Sequence, residues 1–262
     1  MRDTETAKND EEILENQHRI GFREYQRSNT SLVLSGFVAG LEIGFSVLLI
    51  GVIITNFQEI IPEPWLRFMI ALAYPFGFIL IILGRSELFT EHTSLAIIPV
   101  LKKRASIKEL FGLWGFIILG NLTGGFLFAL LMSWIGPAKG IITQIAFARM
   151  AGPLVEPDWH ILLVSAILAG WLMGLLSWLA ASVDDSISRI AIITLITFVI
   201  GIAHLHHCIV GSVEMLCGLF TSDIVSITDY LHFLFFAVLG NTIGGALFVS
   251  ILKYAQVKLN PN

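Results

Sequence analysis

Charged residues are scarce in this sequence. Asp, Glu, Lys and Arg make up 14% of the 262 residues, 55% of the residues are hydrophobic, and the mean hydropathy is +0.80. A soluble domain carries about 25% charged residues. A chain with so few charges cannot cover a surface that faces water, which argues against an ordinary soluble globular protein and favours an integral membrane protein.

Several functional signatures are also missing. No basic block with interleaved aromatic residues is present, which argues against nucleic-acid binding, and no G-x4-GK[ST] loop is present to bind a nucleotide. The two cysteines, Cys208 and Cys217, lie on different turns of one apolar run, too far apart to bridge, so we expect no disulfide framework. The N-terminus lacks the apolar core of a cleaved signal peptide.

Long apolar runs are abundant instead. Crossing the hydrocarbon layer of a bilayer takes about 20 helical residues. We predict six transmembrane spans, at 31–56, 66–84, 110–136, 160–183, 189–219 and 230–254. The shorter run 93–101 directly follows the second span, and we interpret it as the second half of a broken helix.

The distribution of Lys and Arg predicts the orientation. Twelve of the 16 Lys and Arg residues fall in segments on the side of both termini, three fall on the opposite side, and Arg85 lies at membrane depth. The positive-inside rule therefore places both termini in the cytoplasm. We divide the chain into a cytoplasmic segment 1–30 (an amphipathic helix or a solvated tail), a channel domain 31–256 and a cytoplasmic tail 257–262.

The two halves of the chain resemble each other. The stretch "SGFVAGLEIG" (35–44) shares Ser, Ala and two Gly in register with "SAILAGWLMG" (165–174). "GNLTGGFLF" (120–128) shares six of nine residues with "GNTIGGALF" (240–248). Because each half holds three spans, the second half must run upside-down relative to the first. This is the inverted-repeat architecture of many transporters, although small residues at this spacing also serve helix packing.

Polar residues interrupt the middle span of each half. In the first half they lie within "GRSELFTEHT" (84–93) and in the second within "GIAHLHHCIVGSVE" (201–214). Non-helical backbone survives at membrane depth only inside protein or along a water-filled cavity. Two breaks at corresponding places predict a central solute path.

These motifs resemble the formate/nitrite transporter family. The resemblance rests on "ELFTEHT", "GNLTGG", "HLHHCIVGSVE" and "GNTIGG", and it covers about residues 30–255. It implies an aquaporin-like all-α fold, a homopentamer with one pore per subunit, and small monovalent anions as substrates in a bacterial-type inner membrane. It also implies no cofactor, no metal and no enzymatic activity.

The resemblance assigns residues to the path. Leu88, Phe89 and Thr90 correspond to the loop that narrows the pore, His207 to its central histidine, and Tyr74 or Phe78 to an apolar constriction. This chain departs from the family pattern beside the histidine: it has Leu205 there, and Gly170 where formate and nitrite members have an asparagine. These departures leave the substrate open.

Further ionisable residues inside the spans are candidates for solute selection or ion pairing, because they are costly in a membrane. They are Glu42, Arg85, Glu87, Glu91, His204, His206 and Glu214. Glu42 braces the broken helices or lines the pore, and Glu214 pairs with Arg85 or a histidine or selects the solute. The histidine spacing lacks the i, i+4 pairing of a helical zinc motif.

The residues lead to one main interpretation and two alternatives. A weak-acid anion is protonated or strongly hydrogen-bonded near His207, whose imidazole exchanges a proton near neutral pH. The acidic residues instead suit a neutral or ammonium-like solute. A membrane enzyme with a metal held by His204, His207 and Glu214 is a third interpretation, but an enzyme has no need of the duplicated break. We expect a channel or secondary transporter.

Overall fold

The computed structural model describes residues 8–259 of the chain, and within that range it contains helices and loops and no β-strand. The helices are α1 (Asp10–Glu24), α2 (Asn29–Phe57), α3 (Glu63–Ala73), α4 (Pro75–Gly84), α5 (Phe89–Leu95), α6 (Ile97–Leu101), α7 (Ile107–Ala138), α8 (Gln144–Val155), α9 (Trp159–Ser182), α10 (Ser186–Ile202), α11 (Cys208–Thr221), α12 (Ile227–Ile243) and α13 (Leu252–Leu259), with π-helical backbone over Gly244–Ile251 between the last two. The outer parts of the predicted terminal segments, 1–7 and 260–262, lie outside the described residues.

Five stretches of helix in the described part of the chain are long and apolar enough to cross a membrane. They are Asn29–Phe57, Glu63–Gly84, Ile107–Ala138, Trp159–Ser182 and Ile227–Leu259. Each corresponds to a predicted span. The remaining predicted span, 189–219, is interrupted where polar residues were expected to break it: α10 ends at Ile202 and the separate helix α11 begins at Cys208.

Local sequence signals explain where several helices begin. Asn9, Ser106 and Ser226 each accept a hydrogen bond from the third residue of the helix they precede, and the acidic side chain there bonds back to the cap. Such capping boxes satisfy two of the backbone N–H groups that a helix start leaves free. Helices α1, α7 and α12 are therefore fixed at their first turns by the sequence itself.

Small residues bring the spanning helices into close contact. A Cβ placed on Gly40 of α2 would collide with the main-chain carbonyl oxygen of Asn121 on α7. A Cβ on Gly170 of α9 would collide with the carbonyl oxygen of Asn241 on α12 in the same way. Helices in a membrane associate closely through such residues. The pairs α2–α7 and α9–α12 thus form the rigid frame that holds the broken helices.

Two shorter helices cover the ends of this frame. Helix α1 buries Ile13 and Leu14 against a cluster that includes Trp178 of α9 and Val257 of α13. Helix α8, for which the sequence analysis gave no assignment, packs against α11. These two helices lie at opposite ends of the molecule. The two sides of the molecule are called the α1 side and the α8 side after them.

Candidate functional site

The first break is the non-helical stretch 85–88 between α4 and α5. Arg85 adopts a left-handed backbone conformation (φ 61°), which ends α4, and the N–H of Ser86 donates back to the carbonyl of Ile81 over 3.0 Å. The N–H of Glu87 donates to Ser35 Oγ of α2 over 3.2 Å. The chain therefore leaves the helix at a defined point and is tied to the first span.

Asn121 of α7 closes this break. Its Oδ1 accepts from the N–H of Phe89 over 2.8 Å, and its Nδ2 donates to the carbonyls of Gly36 (2.9 Å) and Glu87 (2.8 Å). The side chain is fully buried. One amide thus satisfies three buried backbone groups that the break would otherwise leave without partners.

The second break, residues 203–207 between α10 and α11, is closed by corresponding contacts. His204 is left-handed (φ 50°), the N–H of Leu205 donates to the carbonyl of Ile200 over 3.0 Å, and the N–H of His206 donates to Ser165 Oγ over 3.2 Å. Asn241 Oδ1 accepts from the N–H of Cys208 over 2.8 Å.

Asn241 completes the correspondence with its amide group. Its Nδ2 donates to the carbonyls of Ala166 (2.8 Å) and His206 (3.0 Å), as Asn121 does in the first half. The sequence analysis quoted both asparagines within the duplicated "GN" motifs but assigned them no function. The duplicated motif pointed to these two residues, but only the structure shows that they hydrogen-bond the backbone of the breaks.

The two breaks meet at Thr90 and His207. Thr90 Oγ1 lies 2.8 Å from His207 Nε2, and both side chains are almost fully buried. His207 Nδ1 accepts from the N–H groups of Ile209 (3.3 Å) and Val210 (3.4 Å) at the start of α11. Because Nδ1 is an acceptor, neutral imidazole carries its proton on Nε2, which donates to the threonine hydroxyl. That hydroxyl keeps its own hydrogen for a further acceptor.

Apolar side chains surround this pair. The ring of Phe78 is fully buried and meets the imidazole of His207 edge-on, with 5.1 Å between ring centroids. Tyr74 stacks obliquely on Phe78 at 5.5 Å, and Leu88, which caps α5, is also fully buried. The hydrogen-bonded pair is therefore enclosed by a low-dielectric wall, where a hydrogen bond is stronger than in water.

One vestibule opens toward α8. It is a cavity of about 160 Å³ whose inner wall includes Tyr74, Leu205, His207 and Glu214. Its mouth carries Glu63, which forms ion pairs with both Arg67 (3.0 Å) and Arg149. The histidine thus faces a cavity on this side of the molecule whose wall is mainly apolar, with a few ionisable side chains.

A second vestibule opens toward α1. It is a cavity of about 290 Å³, and its ionisable lining residues are Arg19, Arg23, Glu24, Arg85, Glu87, Glu91, His92 and Arg189. Because Arg85 lies here and Glu214 lies in the α8-side vestibule, the predicted pairing of these two residues is wrong. The left-handed turn at Arg85 directs this residue to the α1 side, a feature that helical spacing could not reveal.

A buried ion-pair network lies beside the α1-side vestibule. Arg27 Nη1 binds Glu24 Oε2 over 2.6 Å and Glu87 Oε1 over 2.5 Å, while Glu87 Oε2 lies 2.8 Å from His92 Nε2. Glu24, Glu87 and His92 are close enough together to be considered as metal ligands. The Arg27 guanidinium between the two carboxylates already supplies their counter-charge, so we interpret the group as structural. Sequence analysis selected only Glu87 of these residues.

Other predicted site residues lie away from the central pair. Phe89 turns its ring toward Trp114 of α7, and His206 Nδ1 lies 2.7 Å from Ser165 Oγ. Gly170 lies against the backbone of Asn241 rather than in a cavity wall. The Glu42 carboxylate lies beside the first break, 3.4 Å from the place of a Cβ on Gly84. His204 lines the α8-side vestibule together with His207.

This arrangement defines a class of protein, a polytopic helical membrane protein with a buried Thr90–His207 pair at its centre and one cavity toward each side. The family model "Formate/nitrite transporter" matches residues 11–255. The chain therefore belongs to the formate/nitrite transporter family. The predictions of family, of an all-helical membrane fold and of a transport protein rather than an enzyme are confirmed.

Similar proteins support the assignment. The chain is 29% identical over 248 residues to "Inner membrane protein YfdC" of Escherichia coli (strain K12), covering 94% of this chain and 78% of that protein. It is 26% identical over 235 residues to "Nitrite transporter NirC" of the same organism (87% and 84% covered). It is also 26% identical over 242 residues to a "Probable formate transporter" of Methanothermobacter thermautotrophicus (85% and 87% covered).

Solved structures share the fold. A chain described as "FNT family ion channel" superimposes with a TM-score of 0.82 at 20% identity, covering 93% of this chain and 98% of that one. A "Pentameric formate channel with formate bound" gives a TM-score of 0.73 at 18% identity, covering 88% and 98%. At these identities the likeness establishes the architecture alone.

Proposed function

We propose that this protein is a channel or secondary transporter for small monovalent anions of weak acids, with one path through each subunit. The observation that carries the proposal is the buried Thr90–His207 pair: His207 lines the α8-side vestibule, and Glu91, next to Thr90 in sequence, lines the α1-side vestibule. The proteins similar to this chain include a nitrite transporter and a probable formate transporter. The solute reaches His207 among apolar side chains, where it has lost its hydration water. Hydrogen-bond donors at this point replace that water.

The donors at the centre suit an anion better than a cation. The Thr90 hydroxyl has a hydrogen to give, and His207 Nε2 gives its own to Thr90, so the pair presents donor character to the path. The N-terminus of the 14-residue helix α11 adds positive potential at the same place. An ammonium-like ion needs acceptors at this point, and the alternative of a cationic solute is disfavoured on this ground.

Hydrogen bonding, rather than proton donation by His207, is the central step. A second proton on the imidazole would go to Nδ1, which already accepts from two backbone N–H groups. Protonation would break both contacts and place a positive charge at the start of α11, where the helix dipole opposes it. We therefore assign His207 the role of a neutral donor that orients Thr90.

The architecture behind this path is an inverted repeat. Asn121 and Asn241 make matching sets of three hydrogen bonds, and Ser35 and Ser165 bind equivalent N–H groups of the two breaks. The two asparagines are 120 residues apart and the two serines 130 apart, as in the duplicated sequence motifs. Six spans result when α10 and α11 together count as one.

We further propose a homopentamer in a bacterial-type inner membrane, with both termini in the cytoplasm. The pentamer rests on the structural neighbour described as a pentameric formate channel, and the membrane rests on the similar Escherichia coli inner membrane protein. Lys and Arg residues are concentrated on the α1 side, which supports a cytoplasmic position for that side.

Purified protein in liposomes tests the function. Uptake of formate, nitrite, acetate and ammonium is measured at several pH values between 5 and 8, against empty liposomes. Saturating or gradient-driven flux of at least one weak-acid anion is expected. Ammonium flux without any anion flux would contradict the proposal.

A further inference from the structure

A carboxyl group, Glu214, shares a face of α11 with His207. The two residues are seven positions apart, which is two helical turns or about 10 Å along the axis. Both line the α8-side vestibule, and Glu214 is half-buried there. Side chains on a helix lean toward its N-terminus, so this carboxyl group leans toward the central pair. A solute that enters from the α8 side passes Glu214 before it reaches His207.

Glu214 forms no salt bridge with the described residues around it. Within the described residues, the ion pairs of this vestibule join Glu63 to Arg67 and Arg149, and none includes Glu214. Helix α2 contributes only the apolar Ile50 and Ile54 to the lining. The titratable and charged groups that share the cavity with Glu214 are Glu63, Arg67, Tyr74, Arg149, His204 and His207.

Three further titratable side chains on or beside α11 are buried or already hydrogen-bonded. Cys208, at the start of α11, and Cys217, one turn beyond Glu214, are fully buried thiols. Tyr230 of α12 is hydrogen-bonded to Ser212 over 2.9 Å. Glu214 is therefore the carboxyl group of this cavity that is not committed to a structural contact.

We propose that Glu214 carries the proton that accompanies the anion. The proposal rests on the function proposed above and supplies the acid that His207, held as a neutral donor, does not. The O–H bond of the Glu214 carboxyl group breaks, an O–H bond forms on the anion, and the neutral acid moves on past His207. A hydronium ion in the vestibule then gives a proton to the Glu214 carboxylate and becomes water, while the neutral acid releases its proton to water on the far side.

The chemistry of donor and acceptor is matched. A carboxylic acid gives its proton to the anion of another weak acid, so the transfer is close to balanced in both directions, as proton transfer between similar groups requires. A neutral acid crosses an apolar constriction at a far lower free-energy cost than its anion. The vestibule thereby couples one proton to one anion before the narrow part of the path.

Proteoliposomes containing the full-length protein and a trapped pH-sensitive dye test this role. In response to an inward formate gradient, the unaltered protein should take up about one proton per formate, and the membrane potential should have little effect. In Glu214→Gln, proton uptake should fall about 100-fold, the lower end of what a positioned proton donor contributes. Glu214→Asp, which keeps the acid, should retain coupled uptake.

Matched controls distinguish failure of the proposed Glu214 role from failure of the proposed transport function. Glu59→Gln removes an exposed carboxylate on the α8 side of the molecule, outside the vestibule, and should behave like the unaltered protein. Unchanged proton uptake and an unchanged pH profile in Glu214→Gln would overturn the role of Glu214. Formate flux without protons in the unaltered protein would also overturn it and leave the proposed function standing, whereas a lack of any anion flux would overturn both.

Discussion

In the proposed path, the hydrogen bonds of a single imidazole set the geometry that the solute meets. His207 uses Nδ1 to cap α11 and Nε2 to hold Thr90, so both ring nitrogens are engaged before any solute arrives. Each contact is buried, where loss of one partner costs about 1–3 kcal/mol. His207 therefore acts by holding Thr90 and the start of α11 in place, and small changes to these partners should have large effects on flux.

Thr90 tests the donor role at the residue scale. Thr90→Val keeps the shape of the side chain but removes the hydroxyl, so His207 Nε2 loses its acceptor and the solute loses a donor. We expect anion flux in liposomes to fall roughly tenfold to hundredfold, from about 1–3 kcal/mol. Thr90→Ser retains the hydroxyl and should keep most of the flux; equal flux in Val and Ser variants would contradict the role.

The ion-pair network around Arg27 should contribute to stability. Glu87→Ala leaves the Arg27 guanidinium paired only with Glu24. It also removes the carboxylate partner of His92 Nε2. Breaking a buried pair in this way costs roughly 3 kcal/mol, which lowers the Tm by roughly 6–12 °C for a chain of this size.

Thermal unfolding in detergent measures this effect against a surface control. Glu15 pairs with Lys102 over 2.5 Å, and 67% of its side chain is exposed. The hydrogen bond from Lys102 lowers the pKa of this carboxyl group, but exposed pairs contribute at most about 1 kcal/mol. Glu15→Ala should therefore leave the Tm almost unchanged, and a larger fall than in Glu87→Ala would refute the structural role of the network.

At the scale of elements, four helices hold two interrupted ones. The α2–α7 and α9–α12 pairs approach closely through glycines, and each pair offers one asparagine to a break. The breaks depend on this frame because their backbone groups have no helix partners of their own. Packing and function are therefore linked through Asn121 and Asn241.

Removing either asparagine should give similar losses. Asn121→Ala and Asn241→Ala each leave three buried backbone groups unsatisfied, at about 1–3 kcal/mol per group. We expect both variants to be strongly destabilised in thermal unfolding, and to a similar extent. Asn56→Ala is the control, since Asn56 is exposed and bonds only to Val52 of its own helix. A loss confined to one of the two asparagines would contradict the equivalence of the breaks.

Gly124 tests the helix contact itself. A larger side chain there would collide with the carbonyl oxygen of Phe37 on α2. We expect Gly124→Leu to prevent close packing and to abolish assembly on size-exclusion chromatography. Gly112→Leu, on the same helix with nothing within 4 Å of an added Cβ, should assemble normally. Normal assembly of Gly124→Leu would refute the packing role.

The sequence predicted the elements better than their interruptions. Apolar run length located five spans, since hydropathy is a property of composition, and the polar residues within two apolar runs located both breaks. The left-handed turns at Arg85 and His204 could not be predicted, because positive φ is uncommon for any residue other than glycine and nothing in the sequence marks which arginine or histidine adopts it. Of the alternatives for Glu214, the pairing with Arg85 does not form, because the two residues lie in opposite vestibules. The pair Thr90–His207 came from family resemblance, while its hydrogen-bond pattern required the structure.

At the scale of the whole molecule, the exposed surface is that of a membrane protein. Large apolar side chains are exposed along the spanning helices, and Trp65, Trp134 and Trp159 are exposed near helix ends. Tryptophan favours the boundary between hydrocarbon and water. Such an apolar surface suits contact with lipid, whereas most ionisable residues at membrane depth, such as Glu87, Glu91 and Glu214, line the two vestibules.

The central claim is that a single path crosses each subunit at His207. The most direct test is anion flux in liposomes for His207→Asn, in which asparagine can still cap α11, compared with His206→Asn, which alters the neighbouring histidine bound to Ser165. The account predicts that flux collapses in His207→Asn and persists in His206→Asn while both variants remain assembled. Undiminished flux in His207→Asn would contradict it.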